Sequence, residues 1–178
     1  MKKLIFLGYC ILLFGCNNQS KPTDQKEEAT VPATKIELPY KLAYDGTVAL
    51  GKPENIVTVM HFNGDFIAGK VDSLGSYLAD SVHLVLDDGS EYNSVRDTIA
   101  AMIKSFRVSM TGAHQSYISA VALENKDKGH EWVFQWIDET HDFKDGKKDH
   151  KIYHEDYRLE NGKIRELFQY SQAIPQKK

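Results

Sequence analysis

The stretch of sequence that decides the fold is residues 132–170, WVFQWIDETHDFKDGKKDHKIYHEDYRLENGKIRELFQY. It contains two hairpin signals, Asp145-Gly146 and Asn161-Gly162, because a two-residue turn between antiparallel strands needs residues that tolerate positive φ. If each turn has two residues, the stretch forms three antiparallel strands and the turns set their register. A slip of one residue would move every side chain of a strand to the other face.

In that register Glu155 lies between Trp136 and Phe168, on a face rich in aromatic rings. The aromatic residues of this face are Trp132, Phe134, Trp136, Tyr153, Tyr157, Phe168 and Tyr170. The opposite face carries mainly polar residues with three aliphatic ones among them: Gln135, Asp156, Arg158, Arg165 and Gln169, with Val133, Ile137 and Leu167. We therefore expect the rest of the domain to cover the aromatic face.

The composition suits one globular domain with a tail, since the chain has 178 residues, 26% of them charged, and a formal net charge of −3. This mildly acidic balance, without a basic run, argues against nucleic acid as a main partner. The two cysteines, Cys10 and Cys16, both lie near the start of the chain. The folded part therefore cannot contain an intramolecular disulfide.

The N-terminus has the pattern of a secretion signal, with Lys2 and Lys3 before an apolar run that is shorter than the about 20 residues of a membrane-spanning helix. Residues 13–16, LFGC, resemble the bacterial lipoprotein lipobox. The resemblance implies that residues 1–15 are a signal peptide and that Cys16 carries the lipid. Residues 16–35 are predicted to be a flexible tether, because they are polar and show no apolar period. The protein would then sit in the bacterial cell envelope, on the outer rather than the inner membrane. The alternative is an ordinary secretory signal with an incidental cysteine.

The remaining chain, residues 36–175, predicts one α+β domain. Pro53 favours the start of a first helix, residues 71–79 a second, and Ser94-x-x-Asp97 the start of a third. Residues 82–86 and a long segment from 108 alternate as strands do. We expect three N-terminal helices packed on a strongly curved, mainly antiparallel sheet.

Four motifs, in this order and spacing, resemble the nuclear transport factor 2-like superfamily, which includes ketosteroid isomerases and SnoaL-like cyclases. They are FIAGKVD at 66–72, LAD at 78–80, DG at 88–89 and EDYRLENGKI at 155–164. The resemblance spans residues 52–172 and implies a cystatin-like cone with an internal pocket.

The resemblance also gives expectations for individual positions. The isomerase tyrosine that donates to the oxyanion falls on Phe62, the base aspartate on Leu86 beside Asp87, and the acid of the oxyanion hole on Glu155. Two of the three catalytic groups are absent, so the resemblance argues against steroid isomerisation by that mechanism.

Two carboxylates are the catalytic candidates, Glu155 and Asp138. An apolar setting disfavours a charged carboxyl, so Glu155 is expected to have a raised pKa and to act as an acid or a base. Asp138 lies diagonally from it in the predicted register, within about 7–8 Å. The alternatives are a buried, hydrogen-bonded glutamate and a solvated aspartate near a strand end.

No metal or other cofactor is predicted. His141 and His150 pair on the polar face in this register, and His150 and His154 lie roughly 13 Å apart along a strand, too far to share an ion. The predicted ligand pocket is mainly aromatic: Phe62, Trp136, Tyr153, Tyr157, Phe168 and Tyr170.

Three functions fit these observations. The first is a lipid-anchored protein whose domain binds a small, partly apolar ligand without turnover. The second is a SnoaL-like acid/base enzyme (cyclase, isomerase or dehydratase type) that uses Glu155. The third is a structural module that forms a homodimer through the outer sheet face, with Val133, Ile137 and Leu167 at the contact. An open cavity with Glu155 at its base favours the first two.

Overall fold

The computed structural model describes residues 39–42 and 44–174, and the account below concerns the compact unit that begins at Lys41. The predicted signal peptide, the tether and Cys16 lie outside the described residues. Within the described part, no helix is long and apolar enough to cross a membrane.

Two α-helices pack on one face of a seven-stranded sheet, in the strand order β1-β4-β5-β6-β7-β2-β3. All neighbouring strands are antiparallel except β2 and β7, which are parallel. The elements are β1 Val48–Leu50, α1 Pro53–Ile67, a 3₁₀ turn Leu74–Tyr77, β2 Leu78–Val85, β3 Glu91–Val95, α2 Arg96–Val108, β4 Met110–Asn125, β5 His130–Phe143, β6 Lys148–Glu160 and β7 Lys163–Ala173.

The first helix begins as predicted, at Pro53, with Glu54 in the first turn where a negative charge complements the helix dipole. Its C-terminal carbonyls are bonded by a side chain of α2. Arg107 donates from Nε to the Phe66 carbonyl at 2.8 Å and from Nη2 to the Ile67 carbonyl at 2.9 Å. This contact joins α2 to the C-terminal end of α1.

The α+β class is confirmed, but the predicted helix at 71–79 is wrong. That segment contains the 3₁₀ turn and the start of β2. The spacing of Leu74 and Leu78 suggested one helical stripe, yet a 3₁₀ turn followed by a strand buries both leucines fully in the core. The domain has two helices rather than three, and strands β1 to β3 alternate with them along the chain.

The first hairpin has a three-residue loop instead of the predicted two-residue turn. The Phe143 amide donates to the Lys147 carbonyl at 2.9 Å, so residues 144–146 form the loop. Gly146 adopts a φ of 86° there, as in hairpins that close with a glycine bulge. The register moves by one residue, so Glu155 lies opposite Gln135, and Trp136 lies opposite His154.

The second hairpin begins as predicted and then shifts. Asn161 and Gly162 have φ values of 52° and 71°, and Leu159 lies opposite Ile164. A bulge between Leu159 and Arg158 then inserts one residue into β7, so that Glu155 faces Gln169 rather than Phe168.

Together the two register shifts place Glu155 and the aromatic residues predicted to surround it on opposite faces of the sheet. The inner face, which packs against the helices, carries Val133, Gln135, Glu155, Tyr157 and Leu167. The outer face carries Trp132, Phe134, Trp136, Phe168 and Tyr170. The prediction that the helices cover the aromatic face is therefore wrong. Val133, Ile137 and Leu167, which were expected at a dimer contact on the outer face, are instead buried on the inner face.

Candidate functional site

A cavity of about 440 Å³ lies between the two helices and the inner face of the sheet. This cavity has an apolar wall of helical side chains and a polar wall of strand side chains. The apolar wall includes Phe62, Phe66, Met102, Ile103 and Phe106, and the polar wall includes Glu139, His141, Lys151, Tyr153, Glu155 and Gln169.

Glu155 is held by three hydrogen-bond donors on the polar wall. It is only 4% exposed. Gln135, directly opposite on β5, donates to Oε2 at 2.6 Å, and Gln169, directly opposite on β7, donates to Oε1 at 2.8 Å. The Tyr157 hydroxyl donates to Oε2 at 2.8 Å. Three adjacent strands therefore contribute one Gln-Glu-Gln row across the sheet.

The environment favours the protonated form of this carboxyl. Burial raises the pKa of Glu155, and the neighbouring Glu139 charge raises it further, against the hydrogen bonds from Gln169, Gln135 and Tyr157. Glu155 can therefore hold a proton at a pH where an exposed glutamate has lost it. A group of this kind can donate a hydrogen bond or transfer a proton inside the cavity.

The row continues to α1 through Tyr157. The hydroxyl of Tyr157 lies 3.1 Å from Oδ1 of Asn63, a helix residue that is 7% exposed. The other end of the Asn63 amide, Nδ2, has no hydrogen-bond partner among the described residues. Asn63 also lines the cavity, so a buried donor is free at its wall.

A second acid on the polar wall is paired with a histidine. Nε2 of His141 lies 2.5 Å from Oε1 of Glu139, and both side chains are buried. The imidazole ring is surrounded by Phe66, Phe106 and Phe143, with ring centroids 5.9–6.4 Å away. This carboxylate–imidazole pair lies within the cavity and was not predicted, because the two-residue turn placed His141 on the opposite face.

Charged side chains form the rest of the polar wall. Nζ of Lys151 lies 2.8 Å from Asp87 and 3.5 Å from Asp149. Asp87 also accepts a hydrogen bond from the Ser171 hydroxyl at 2.5 Å. Asp87 is the residue beside the isomerase base position, and here a lysine and a serine both contact its Oδ2.

The structure brings four predicted site residues together and separates four others from them. Phe62, Tyr153, Tyr157 and Glu155 line the cavity. The prediction that Trp136, Phe168, Tyr170 and Asp138 share this pocket is wrong, because the register places all four on the outer face.

On the outer face these residues have other partners. Trp136 stacks on His154 with centroids 4.5 Å apart, and Asp138 lies 2.8 Å from Nε2 of His150. Phe168 and Tyr170 line a separate, more open depression of about 430 Å³ with Tyr44, Trp132, Phe134 and Asp156. No group of three metal-ligating side chains occurs within residues 39–42 and 44–174.

Helices packed on one face of a curved, mostly antiparallel sheet around an internal cavity define the nuclear transport factor 2-like fold, and structural neighbours support this assignment. By sequence, the chain matches no protein-family model and no curated protein.

An LEH-like epoxide hydrolase from M. tuberculosis is 13% identical, with a TM-score of 0.57 over 67% of this chain and 83% of that chain. AusH from Aspergillus nidulans is 16% identical, with a TM-score of 0.55 over 72% of this chain and 90% of that chain. An NTF2-like protein of unknown function from Exiguobacterium is 18% identical, with a TM-score of 0.53 over 66% of this chain and 99% of that chain. At these identities the likeness concerns the fold alone.

Proposed function

We propose that the domain binds a small, partly apolar molecule in the cavity, with the polar end of the molecule at Glu155, and does not turn it over. The observation that carries this proposal is the open space of about 440 Å³ beside a buried, hydrogen-bonded carboxyl. Ligand sites typically enclose about 300–1,000 Å³, with mostly apolar walls and a few placed polar groups.

Two features favour binding over catalysis. Phe62 and Leu86 occupy the positions where isomerases of this fold carry a tyrosine and a base. Both oxygens of Glu155 already accept hydrogen bonds from protein groups. With three of its four lone-pair sites occupied, this carboxylate is a poor base.

Native mass spectrometry of the full chain tests the proposal. We expect a copurifying small molecule in the wild-type protein and its loss from Met102→Trp, which fills the cavity from α2. Val57→Trp, on the exposed face of α1, is the matched control and should keep the molecule. The proposal fails if Met102→Trp and Val57→Trp retain it equally.

An acid/base enzyme is the second candidate, favoured by the raised pKa of Glu155 and by the Glu139–His141 pair on the same wall. Two acidic centres in one cavity could divide the donor and acceptor roles. Glu155→Gln distinguishes the candidates once a copurifying molecule is known. An enzyme would lose turnover with this variant and keep binding, whereas a binding protein has no turnover to lose.

We also propose that Cys16 carries a lipid that holds the domain in the bacterial envelope, on the outer rather than the inner membrane. Several acyl chains anchor firmly, because each buried methylene contributes about 0.8 kcal/mol. Globomycin, which blocks lipoprotein signal cleavage, should leave a larger precursor in cells, and Cys16→Ser should release the protein from membranes. An unchanged band with globomycin would contradict the anchor.

A further inference from the structure

The cavity wall carries more acid than base. Its carboxyl groups are Asp87, Asp88, Glu139, Asp149 and Glu155, and among the described residues its one lysine is Lys151. Two of the acids, Asp87 and Asp149, bracket that lysine. The positive charge of Lys151 is thus offset within the wall, and the remaining acids have no lysine or arginine opposite them in the cavity.

The excess of acidic side chains affects the pKa of the Tyr153 phenol on the polar wall. Burial raises the pKa of Tyr153, and the charges of Asp87, Asp149, Glu139 and Glu155 raise it further. Three carboxylates on three elements, Asp87, Glu139 and Asp149, therefore act on one point of the cavity with the same sign, and Glu155 adds to them when it is ionised. An anion placed there would be repelled and a cation attracted.

The opposite wall suits the body of an organic cation. It is built from phenylalanine rings of both helices, among them Phe62, Phe66 and Phe106. Aromatic rings bury apolar groups and also attract ammonium groups through the ring quadrupole. These rings cannot form an ion pair, so the acidic side chains on the opposite wall would pair with the charge of the ligand.

A free donor adds a second requirement on the ligand. Nδ2 of Asn63 is buried at the cavity wall without a partner. A buried donor without a partner is destabilising, so an acceptor atom on the ligand would satisfy it.

We infer that the ligand is an amine with an aromatic or aliphatic body and a hydroxyl or carbonyl oxygen, bound with its ammonium group among Glu139, Tyr153 and Glu155. This inference rests on the proposed function and narrows its ligand to one charge class. The oxygen would accept a hydrogen bond from Asn63.

Three probes of nearly equal shape test the charge: tyramine, a cation, tyrosol, its neutral alcohol, and para-hydroxyphenylacetate, an anion. Their binding to the full chain is measured by saturation-transfer NMR and calorimetry. We expect tyramine to bind at least about tenfold more tightly than tyrosol, and the anion to bind most weakly. Phenethylamine, which lacks the hydroxyl, tests the Asn63 contact and should bind more weakly than tyramine.

Variants of acidic residues in the cavity wall test whether the preference for tyramine arises in the cavity. Glu139→Gln removes one charge and keeps an acceptor for His141, and it should reduce the tyramine preference about fivefold. Asp149→Asn, at a different point of the wall, should reduce it in the same direction. The matched control is Asp80→Asn, whose side chain is 98% exposed, and it should leave the preference unchanged.

The outcomes separate this inference from the proposed function. If tyrosol or the anion binds as tightly as tyramine, and Met102→Trp abolishes that binding, the cavity binds ligands but the amine assignment is wrong. Equal effects of Glu139→Gln and Asp80→Asn would overturn it too. If none of the probes binds at millimolar concentration, the amine assignment also fails, while the copurifying molecule still decides the proposed function.

Discussion

Replacing Glu155 with glutamine tests whether the inner face keeps this carboxyl protonated. The substitution preserves the size of the side chain. The Gln135 amide can turn to present Oε1, which has no partner in the wild-type structure, to the new amide group. Where Glu155 is protonated in both folded and unfolded chains, we expect the two proteins to differ in unfolding free energy by only about 1 kcal/mol.

The difference in unfolding free energy between the wild type and Glu155→Gln should grow as the pH rises. The ordinary pKa of a glutamate is 4.5, and burial and the Glu139 charge place the native value higher. Between these two values the unfolded chain loses the proton and the folded chain keeps it. The stabilisation by the Glu155 proton is therefore complete below pH 4.5 and is lost as the pH rises through the native pKa.

In that window the wild-type protein loses about 1.4 kcal/mol of stability per pH unit relative to Glu155→Gln. Above the native pKa the difference stops growing, so the pH at which it levels off measures that pKa. Gln135, Gln169 and Tyr157 face Glu155 through hydrogen bonds, and the charge of Glu139 raises its pKa. Subtracting the two curves removes the contribution of the titrating groups that do not interact with Glu155.

Urea unfolding followed by circular dichroism at a series of pH values gives the two free energies. Glu160→Gln, which removes a largely exposed carboxyl, is the control and should run parallel to the wild type. Parallel curves for Glu155→Gln as well would refute the reasoning, since they would mean that the native pKa of Glu155 equals that of an exposed glutamate.

Three further predictions concern the framework. Arg107→Met should lower the unfolding free energy by about 1–3 kcal/mol in a urea titration, because the Ile67 carbonyl loses its side-chain donor and the Phe66 carbonyl keeps only the Gly69 amide; an unchanged midpoint would contradict this role. Gly146→Ala should lower the unfolding free energy by about 1–2 kcal/mol, because the φ of Gly146 is 86°. Gly64→Ala, in an exposed helical position with open space around it, should raise the unfolding free energy by about 0.5–1 kcal/mol. If the outer face forms the homodimer, Trp136→Glu should sediment as a monomer and Val57→Glu, on the opposite side of the sheet, as a dimer; equal sedimentation of both would exclude that contact.

The first hairpin shows how far local sequence can predict a register. The signal at Asp145-Gly146 correctly located a turn, and the alternation of Trp132, Phe134 and Trp136 correctly placed them on one face. The dipeptide fits both a two-residue turn, with positive φ at Asp145 and Gly146, and a three-residue loop, with positive φ at the glycine alone. Only Gly146 adopts positive φ here. The loop therefore has three residues, and the extra residue exchanges the sheet faces on which the β6 side chains lie relative to β5.

The second shift coincides with a contact outside the hairpin. Arg165, at the bulge in β7, donates from Nη1 to the carbonyl of Ser81 in β2 at 2.5 Å. The two residues are 84 positions apart in the sequence, so no local pattern indicates the contact. Tertiary contacts of this kind override strand alternation.

The candidate site was predicted in part for the same reason. The superfamily resemblance placed Phe62 and Glu155 in one site, and both line the cavity, because the resemblance did not depend on the turn lengths. Glu139 and His141 were missed, although they alternate with Ile137 along β5. With a three-residue loop, that alternation would have placed all three on the inner face.

The parallel pairing of β2 with β7 also constrains the order of assembly. Strand β7 is the last strand of the described residues, and β2 begins at Leu78. The strands from β4 to β7 can pair as consecutive hairpins, whereas β2 and β3 cannot join the sheet until β7 has been made. A fragment that stops at the Asn161-Gly162 turn would thus leave the β2–β3 hairpin without a strand to pair with, and we expect proteases to cut the fragment there.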